Sequence, residues 1–372
     1  MRIAMIGQKG VPAIAGGVER HVEEIGKRLV QQGHEVTVYC RSTYGGSCRP
    51  ATSDGMRLRY IYTLDNKNLE AILYAFQASV DALPRRFDII HYHALGPTSL
   101  SFIPRLFGKN VIATVHGLDW QRDKWGRLAK AYLKLGERAT ARFPARIIAV
   151  SPSLRDYFVQ NYGKDPGDVV FIPNGVNVKP RVEPKEITKL GLDEKSYILF
   201  LARIVPEKGA HYLIEAYNRL HTDKKLVIAG GESHTERYFQ RLRSMAGDNP
   251  NVVFTGNVQG RMLEELYSNA YVYVLPSDVE GMPITLLEAM SYARCCLTSD
   301  IPENQAVVKN QFGRCFEKGN IASLTDELAR MLQESAAVDS IGETAFNEIV
   351  QNYDWDKIAK ATESVYLSIL SA

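Results

Sequence analysis

Short apolar runs alternate with helical patterns along this chain, and the alternation is made twice. In the first half, strand-like runs fall at residues 3–6, 36–40, 58–62, 89–92, 111–115 and 146–150. Helical patterns lie between most of them, for example at 18–31 and 69–83. Apolar runs this short, separated by helices, specify a parallel sheet covered on both faces. The pattern breaks near Pro173-Asn174-Gly175-Val176-Asn177, and residues 179–195, rich in charge and proline, form a connection. The alternation then restarts, with strands at 197–201, 225–229, 252–254, 271–275 and 295–298. Helices are expected at 209–220, 235–246, 262–268 and 285–292, and from Ala322 onward the pattern is helical to the end. A chain of 372 residues is too long for one ordinary core. Two α/β domains in series are therefore expected, 1–178 and 179–350, with a ligand cleft between them.

Composition narrows the class. The chain is 45% hydrophobic and 23% charged, as in a soluble globular protein, and no stretch is long and apolar enough to span a bilayer. The N-terminal run Arg2-Ile3-Ala4-Met5-Ile6 is not a secretory signal. Five cysteines, two of them the adjacent Cys295 and Cys296, make neither a disulfide framework nor a zinc spacing, so a reducing cytosol is the expected compartment. Residues 1–178 hold 24 Lys and Arg against 15 Asp and Glu, a net +9, whereas the remainder holds 21 against 27, a net −6. A basic half points to an anionic membrane surface or a phosphate-bearing acceptor. Nucleic acid is not expected, since no recognition module is visible.

The segment Glu280-Gly281-Met282-Pro283-Ile284-Thr285-Leu286-Leu287-Glu288 carries the clearest chemistry. It follows an apolar strand and leads into a helix whose apolar face is Leu286, Leu287, Ala289 and Met290. Glu280 is placed on the strand-to-helix loop, Pro283 in the first helical turn and Glu288 one to two turns in. Free N–H groups at that helix start favour an anion. A phosphate contact between two carboxylates suited to hydroxyl groups fits a nucleotide-sugar site. Arg203 and Lys208, in the loop Ala202-Arg203-Ile204-Val205-Pro206-Glu207-Lys208-Gly209 after a strand, can flank a diphosphate, the alternative being a solvated charged loop.

Other features are less specific. Gly16-Gly17 opens a helix, either as a phosphate-approaching turn or as a flexible cap. The preceding Gly7-Gln8-Lys9-Gly10 does not complete G-x-G-x-x-G, and the second strand ends at Arg41 without an acidic ribose partner, which weighs against a dehydrogenase. His116 ends a strand before Gly117-Leu118-Asp119, where it can serve a sugar hydroxyl, share a proton with Asp119, or be structural. His91 and His93 flank Tyr92 without a nearby Cys or Asp set, and no metal site is expected there. Residues 120–146 carry Arg122, Lys124, Arg127, Lys130, Lys134, Arg138, Arg142 and Arg146. Leu128, Ala131, Tyr132, Leu135 and Ala139 give the segment an apolar side, so it is either a membrane-facing amphipathic helix or a packed helix with a basic outer face. Asp354-Trp355-Asp356 starts the last helix, where a cap and a packing anchor explain it better than a metal ion.

Taken together, these residues resemble the retaining glycosyltransferases of the GT-B fold, specifically glycosyltransferase family four. Glu280 to Glu288 carries the resemblance most strongly, supported by Arg203 with Lys208, then Gly16-Gly17, His116 and Ile172-Pro173-Asn174-Gly175-Val176. The opening Ile6-Gly7-Gln8-Lys9-Gly10-Val11-Pro12 and His116-Gly117-Leu118-Asp119-Trp120 are similar to a bacterial subset that includes rhamnosyltransferases of surface polysaccharide assembly. The resemblance implies two Rossmann-like domains, with residues 351–372 forming a helix that crosses back onto the first. It implies that Glu288 binds ribose hydroxyls, Glu280 and His116 the donor sugar, and Arg203 and Lys208 the diphosphate. The Gly16-Gly17 loop would cover that diphosphate, backbone near Val258 would meet the base, and Gly281, Met282, Ile284 and Thr285 would complete the donor loop. It departs from the pattern at Pro283, which has no N–H to offer, at Ala202, and at Asn177, where an Asp is common.

The expected reaction is transfer of a sugar, with retention, from a UDP-, dTDP- or GDP-sugar to a glycan or lipid-linked acceptor in bacterial surface polysaccharide assembly. No metal and no cofactor are expected, and the protein would be cytoplasmic or peripheral at the inner membrane face. Two other readings stay open: a sugar-nucleotide epimerase on the same fold, and a non-catalytic nucleotide-sugar-binding protein.

Overall fold

The computed structural model describes residues 1–14, 16–46, 49–63, 70–122, 125–231 and 235–371. Leu69, the expected start of the second helix, and Lys124 lie outside the described residues. The chain divides into two compact units, Met1–Gly175 with Trp355–Ala372, and Val176–Asp354. The first division falls three residues before the expected one, and the chain rejoins the first unit at Trp355.

The first unit is built on strands β1 (Arg2–Ile6), β2 (Glu35–Arg41), β3 (Thr52–Ser53), β4 (Met56–Ile61), β5 (Ile89–His93), β6 (Val111–Val115), β7 (Arg146–Ala149) and β8 (Val169–Phe171). Their order is β3-β4-β2-β1-β5-β6-β7-β8, parallel except for the short β3. Helices α1 (Gly17–Gln31), α2 (Glu70–Ala82), α3 (Leu95–Thr98), α4 (Phe102–Leu106), α5 (Arg127–Arg142) and α6 (Pro152–Tyr162) lie between them in sequence.

The second unit holds β9 (Tyr197–Leu201), β10 (Lys225–Ala229), β11 (Val252–Gly256), β12 (Val272–Leu275), β13 (Cys296–Ser299) and β14 (Arg314–Phe316), all parallel in the order β11-β10-β9-β12-β13-β14. Its helices are α7 (Ala210–Tyr217), α8 (Glu236–Ala246), α9 (Gly260–Asn269), α10 (Ile284–Ser291), α11 (Pro302–Val308), α12 (Ile321–Gln333) and α13 (Ser335–Asn352). The final helix, α14 (Trp355–Leu370), belongs to the first unit, where it packs on α1.

Strand alternation decides what covers each face. Ile3 and Met5 share a core with Val22, Ile25 and Leu29 of α1 and Trp355, Ile358 and Tyr366 of α14. Ala4 and Ile6 point the other way, against Tyr74, Ala75 and Ala78 of α2. Trp355 is thus a buried anchor, as expected; Gly175 lies against its ring, where a Cβ would meet Trp355 Cδ2 at 2.6 Å.

The basic segment differs from its expected form. Residues Asp119–Gln121 make a 3-10 turn, and α5 begins only after Gly126, whose extended backbone (φ −69°, ψ 170°) interrupts the helix. The packed side of α5 is Leu133, Gly136, Glu137, Ala139, Thr140 and Ala141, while Leu128 and Leu135 are 89% and 57% exposed. Gly136 sets this orientation: a Cβ there would sit 2.1 Å from the Leu95 carbonyl oxygen, so only glycine lets α5 seat on α3 by that side. Leu128 and Leu135 therefore share the outer face with Arg127, Lys134, Arg138 and Arg142, which does not fit the reading of this stripe as the packed side.

Candidate functional site

In the second unit the chain leaves the centre of the sheet in both directions, through β10 and β11 from β9 and through β13 and β14 from β12. The loops after β9 and β12 therefore diverge from adjacent carboxyl ends, the position where open α/β sheets take ligands. Three ties hold these loops together. The Asp278 N–H donates to the Glu207 carbonyl at 2.9 Å. Lys208 Nζ donates to Glu280 Oε1 at 2.5 Å, and Ser277 Oγ donates to the same oxygen at 2.6 Å. Gly209, in the left-handed region at φ 73°, lies so close to Pro276 that a Cβ would be 1.9 Å from its carbonyl oxygen. The Glu280 side chain is only 6% exposed and that of Lys208 14%, so the ion pair is largely removed from water.

Pro283 stands just outside the first turn as the cap of α10, with ψ 110°, and Ile284 is the first helical residue. Its carbonyl accepts from the Leu286 N–H at 3.2 Å, and because a proline side chain has no acceptor the helix starts without a side-chain cap. Thr285 Oγ1 accepts from Tyr273 Oη at 2.9 Å, and Glu288 Oε2 accepts from Tyr267 Oη at 3.1 Å. Burial pushes both phenols well above their ordinary range, and the Glu288 charge adds to the effect on Tyr267, so both remain proton donors at neutral pH. Gly281 and Met282 are buried beside them. Val258 lies on the loop after β11 at the same sheet edge. That edge is laced by Gly230 N–H to the Gly256 carbonyl at 2.9 Å and Ile204 N–H to the Gly231 carbonyl at 3.1 Å. Arg203, half-buried, follows β9 directly.

Gly16, Gly17 and His116 belong to the first unit. Gly16 adopts φ 105° as the cap of α1, and a Cβ there would meet the Glu19 carboxylate at 2.2 Å. That carboxylate accepts from the Lys9 N–H at 2.9 Å, joining the loop after β1 to the start of α1. His116 follows β6 and is gathered with two histidines the sequence did not connect to it. Its Nε2 is 3.3 Å from His93 Nδ1, and its ring centre is 4.7 Å from that of His21 on α1. One ring nitrogen from each of His21, His93 and His116 lies within 4.8 Å of the others. Burial lowers His21 to about 4 and holds His93 and His116 well below the ordinary 6.5, so all three are neutral imidazoles at pH 7. Asp119 pairs instead with Arg122 at 3.3 Å.

Residues 15–179 match the family model Glycosyltransferase Family 4, and residues 182–348 match Glycosyl transferases group 1. The chain is a glycosyltransferase of the GT-B fold. An uncharacterized glycosyltransferase of Methanocaldococcus jannaschii is 26% identical over 98% of both chains. The UDP-Gal:alpha-D-GlcNAc-diphosphoundecaprenol alpha-1,3-galactosyltransferase of Escherichia coli is 24% identical over 96% of this chain and 95% of that one. Among solved structures, sucrose-phosphate synthase from Thermosynechococcus elongatus superposes with a TM-score of 0.87 at 21% identity, covering 100% of this chain and 99% of that one. Anabaena HepE in complex with UDP and glucose gives 0.83 at 17% identity, covering 99% and 100%.

Several residues of this glycosyltransferase's candidate site carry no mark in its sequence. Tyr267 and Tyr273 sit on helical and strand-like patterns, and Ser277 on the loop after β12, where nothing marks a hydroxyl as a partner for Glu288, Thr285 or Glu280. His93 has no ligand among its chain neighbours, and nothing in the helical pattern around His21 marks it. The one available signal was the i, i+2 spacing of His91 and His93, which puts both on the sheet face that α1 covers.

Proposed function

We propose that this enzyme transfers a sugar, with retention, from a nucleoside-diphosphate sugar to a glycan or lipid-linked acceptor in bacterial surface polysaccharide assembly. The observation that carries the reading is the grouping of Lys208 and Glu280 with Arg203 at the carboxyl edge between β9 and β12. In the transfer, the bond from the anomeric carbon to the diphosphate oxygen breaks while the acceptor oxygen bonds to that carbon on the same face. The acceptor proton passes to the departing phosphate. Arg203, Lys208 and the Ile284 and Thr285 N–H groups stabilise the charge on the leaving group, a task for which such a clamp needs no metal ion. Glu280, oriented by Ser277 and Lys208, takes a donor-sugar hydroxyl, and Glu288, oriented by Tyr267, takes the ribose. Gly281, Met282 and Val258 shape the donor pocket, and His116 and the Gly16-Gly17 loop serve donor sugar and diphosphate.

The solved relative holding UDP and glucose supports a UDP-sugar as the first donor class to test, and the printed name of the Escherichia coli relative supports a diphosphoundecaprenol-type acceptor. The net charge of +9 over residues 1–178 and the exposed Leu128 and Leu135 among the α5 cations support contact with an anionic membrane. No helix among the described residues is long and apolar enough to cross one. A panel of UDP-, GDP- and dTDP-sugars, scored by the rise in melting temperature and then by transfer, tests the donor class. Glu280→Gln is expected to keep the fold and lose most turnover. A variant with wild-type turnover removes Glu280 from the reaction.

A further inference from the structure

We propose that His21, His93 and His116 form a binding site for a divalent transition metal of the zinc class in the first unit. The donor set is three imidazoles, with no thiolate or carboxylate among them, a set that suits zinc and its neighbours and not magnesium or calcium, which take oxygen ligands. Tetrahedral zinc with bonds of about 2.0–2.1 Å needs ligand nitrogens about 3.3 Å apart. His93 Nδ1 and His116 Nε2 stand 3.3 Å apart, and since all three nitrogens lie within 4.8 Å of one another, the widest gap closes by at most about 1.5 Å.

The surroundings prepare the set for a metal. His21 Nδ1–H donates to Asn174 Oδ1 at 2.8 Å, which fixes the tautomer and leaves the lone pair of Nε2 on the other side of the ring. Trp355 packs edge-on against the His21 ring, with centroids 5.6 Å apart, and shields that side from water. His91, by contrast, has both nitrogens engaged, with Tyr366 Oη and Thr114 Oγ1 each at 2.7 Å, and its ring lies tilted against that of His93, with centroids 4.2 Å apart. His93 is fully buried, and its Nε2 has no hydrogen-bond partner among the described residues; a ring that ligates through Nδ1 carries its proton on that Nε2. Three histidines leave the fourth position of a tetrahedral ion open, and His116, the least buried of the three, marks the side from which it is reached.

An ion held here engages His116, which the transfer reading assigns to the donor sugar, so it inhibits transfer; this consequence rests on that reading. The site itself is tested without any sugar, by titrating the metal-free full chain with Co²⁺ and following the visible bands of a four-coordinate ion. One ion per chain is expected, displaced by Zn²⁺. His116→Gln and His21→Gln are expected to abolish the bands, and Asn174→Ala to weaken binding about 10- to 100-fold. His211→Gln, in the other unit, is expected to leave them unchanged. Circular dichroism and melting of each metal-free variant establish that it is folded, and His116→Gln decides if His21→Gln is not. Absence of four-coordinate bands in the wild type, or their survival in folded His116→Gln, overturns the site. Intact bands with undiminished transfer at saturating Zn²⁺ overturn the inhibition and leave the donor-sugar role of His116 to be tested by its own variant.

Discussion

The two units repeat one topology and place opposite chemistry at the same point of it. Each sheet has adjacent central strands from which the chain departs in both directions, β1 with β5 in the first and β9 with β12 in the second. At the second of these the loops carry formal charge, the Lys208–Glu280 pair with Arg203 nearby. Beside the first lie neutral rings, His93 at the end of β5 with His21 and His116 around it. Parallel-sheet geometry supplies a converging edge, and what the edge does depends on whether its groups are paired charges or buried imidazoles. An ion pair holds a fixed field for a diphosphate, whereas buried imidazoles keep lone pairs available without carrying charge.

The largest expected effect lies on the charged side. Lys208→Ala removes one cation from the leaving-group clamp and frees Glu280, and turnover is expected to fall by about 100- to 1,000-fold, measured as kcat with saturating donor. A fall confined to KM would assign Lys208 to ground-state binding and weaken the contrast between the units.

The second prediction separates the units by pH in metal-free buffer. His21 is lowered by burial from 6.5 to about 4, so the unfolded chain binds its proton first. The stability His21 contributes is complete above pH 6.5 and is lost as pH falls toward 4, a loss of about 3 kcal/mol for this residue. In the second unit, three backbone N–H groups, from Lys185, Glu186 and Ile187, and Arg261 outweigh the burial of Glu265 and hold it at about 2. Its contribution persists down to pH 4.5 and fades only below that. Burial also lowers His211 of the second unit to about 4, against four lowered histidines in the first, so hydrogen exchange at pH 7 and pH 5 is expected to show the first unit loosening more than the second. Equal loosening in both would break the comparison.

The third and smallest effect is steric. Gly209→Ala forces a Cβ onto the Pro276 carbonyl at a positive φ, a cost of about 1–3 kcal/mol, seen as a lower melting temperature with weaker donor binding. Gly16→Ala, also at positive φ, meets the movable end of the Glu19 side chain rather than backbone, and a smaller loss is expected.

Much of the fold was legible because buried parallel strands advertise themselves as apolar runs. The short edge strands β8 and β14, three residues each, were not, since so brief a run carries no periodicity. Which of its two readings holds for the apolar stripe of α5 was not legible. Helical periodicity finds an apolar stripe but does not say that Gly136, by admitting the Leu95 carbonyl, turns the other side inward. In the site, the carboxylates and cations of Glu280, Glu288, Arg203 and Lys208 stood out because charge beside a strand end is conspicuous. The hydroxyl partners Ser277 of Glu280 and Tyr267 of Glu288 did not, nor did Tyr273, which meets Thr285.

By itself, the sequence determined the two rounds of strand and helix, the strand-end loops that bear the charges, and the left-handed glycine that the Gly209 turn requires. These are local properties, set by periodicity of two or 3.6 residues and by backbone sterics. Only the tertiary structure decided that Lys208 meets Glu280, 72 residues away, and that histidines 21, 93 and 116 share one site. Both depend on strand order. Neighbours in a sheet such as β1 and β5, or β9 and β12, are not neighbours in the chain, and no pattern along the sequence records which strand ends come to lie side by side.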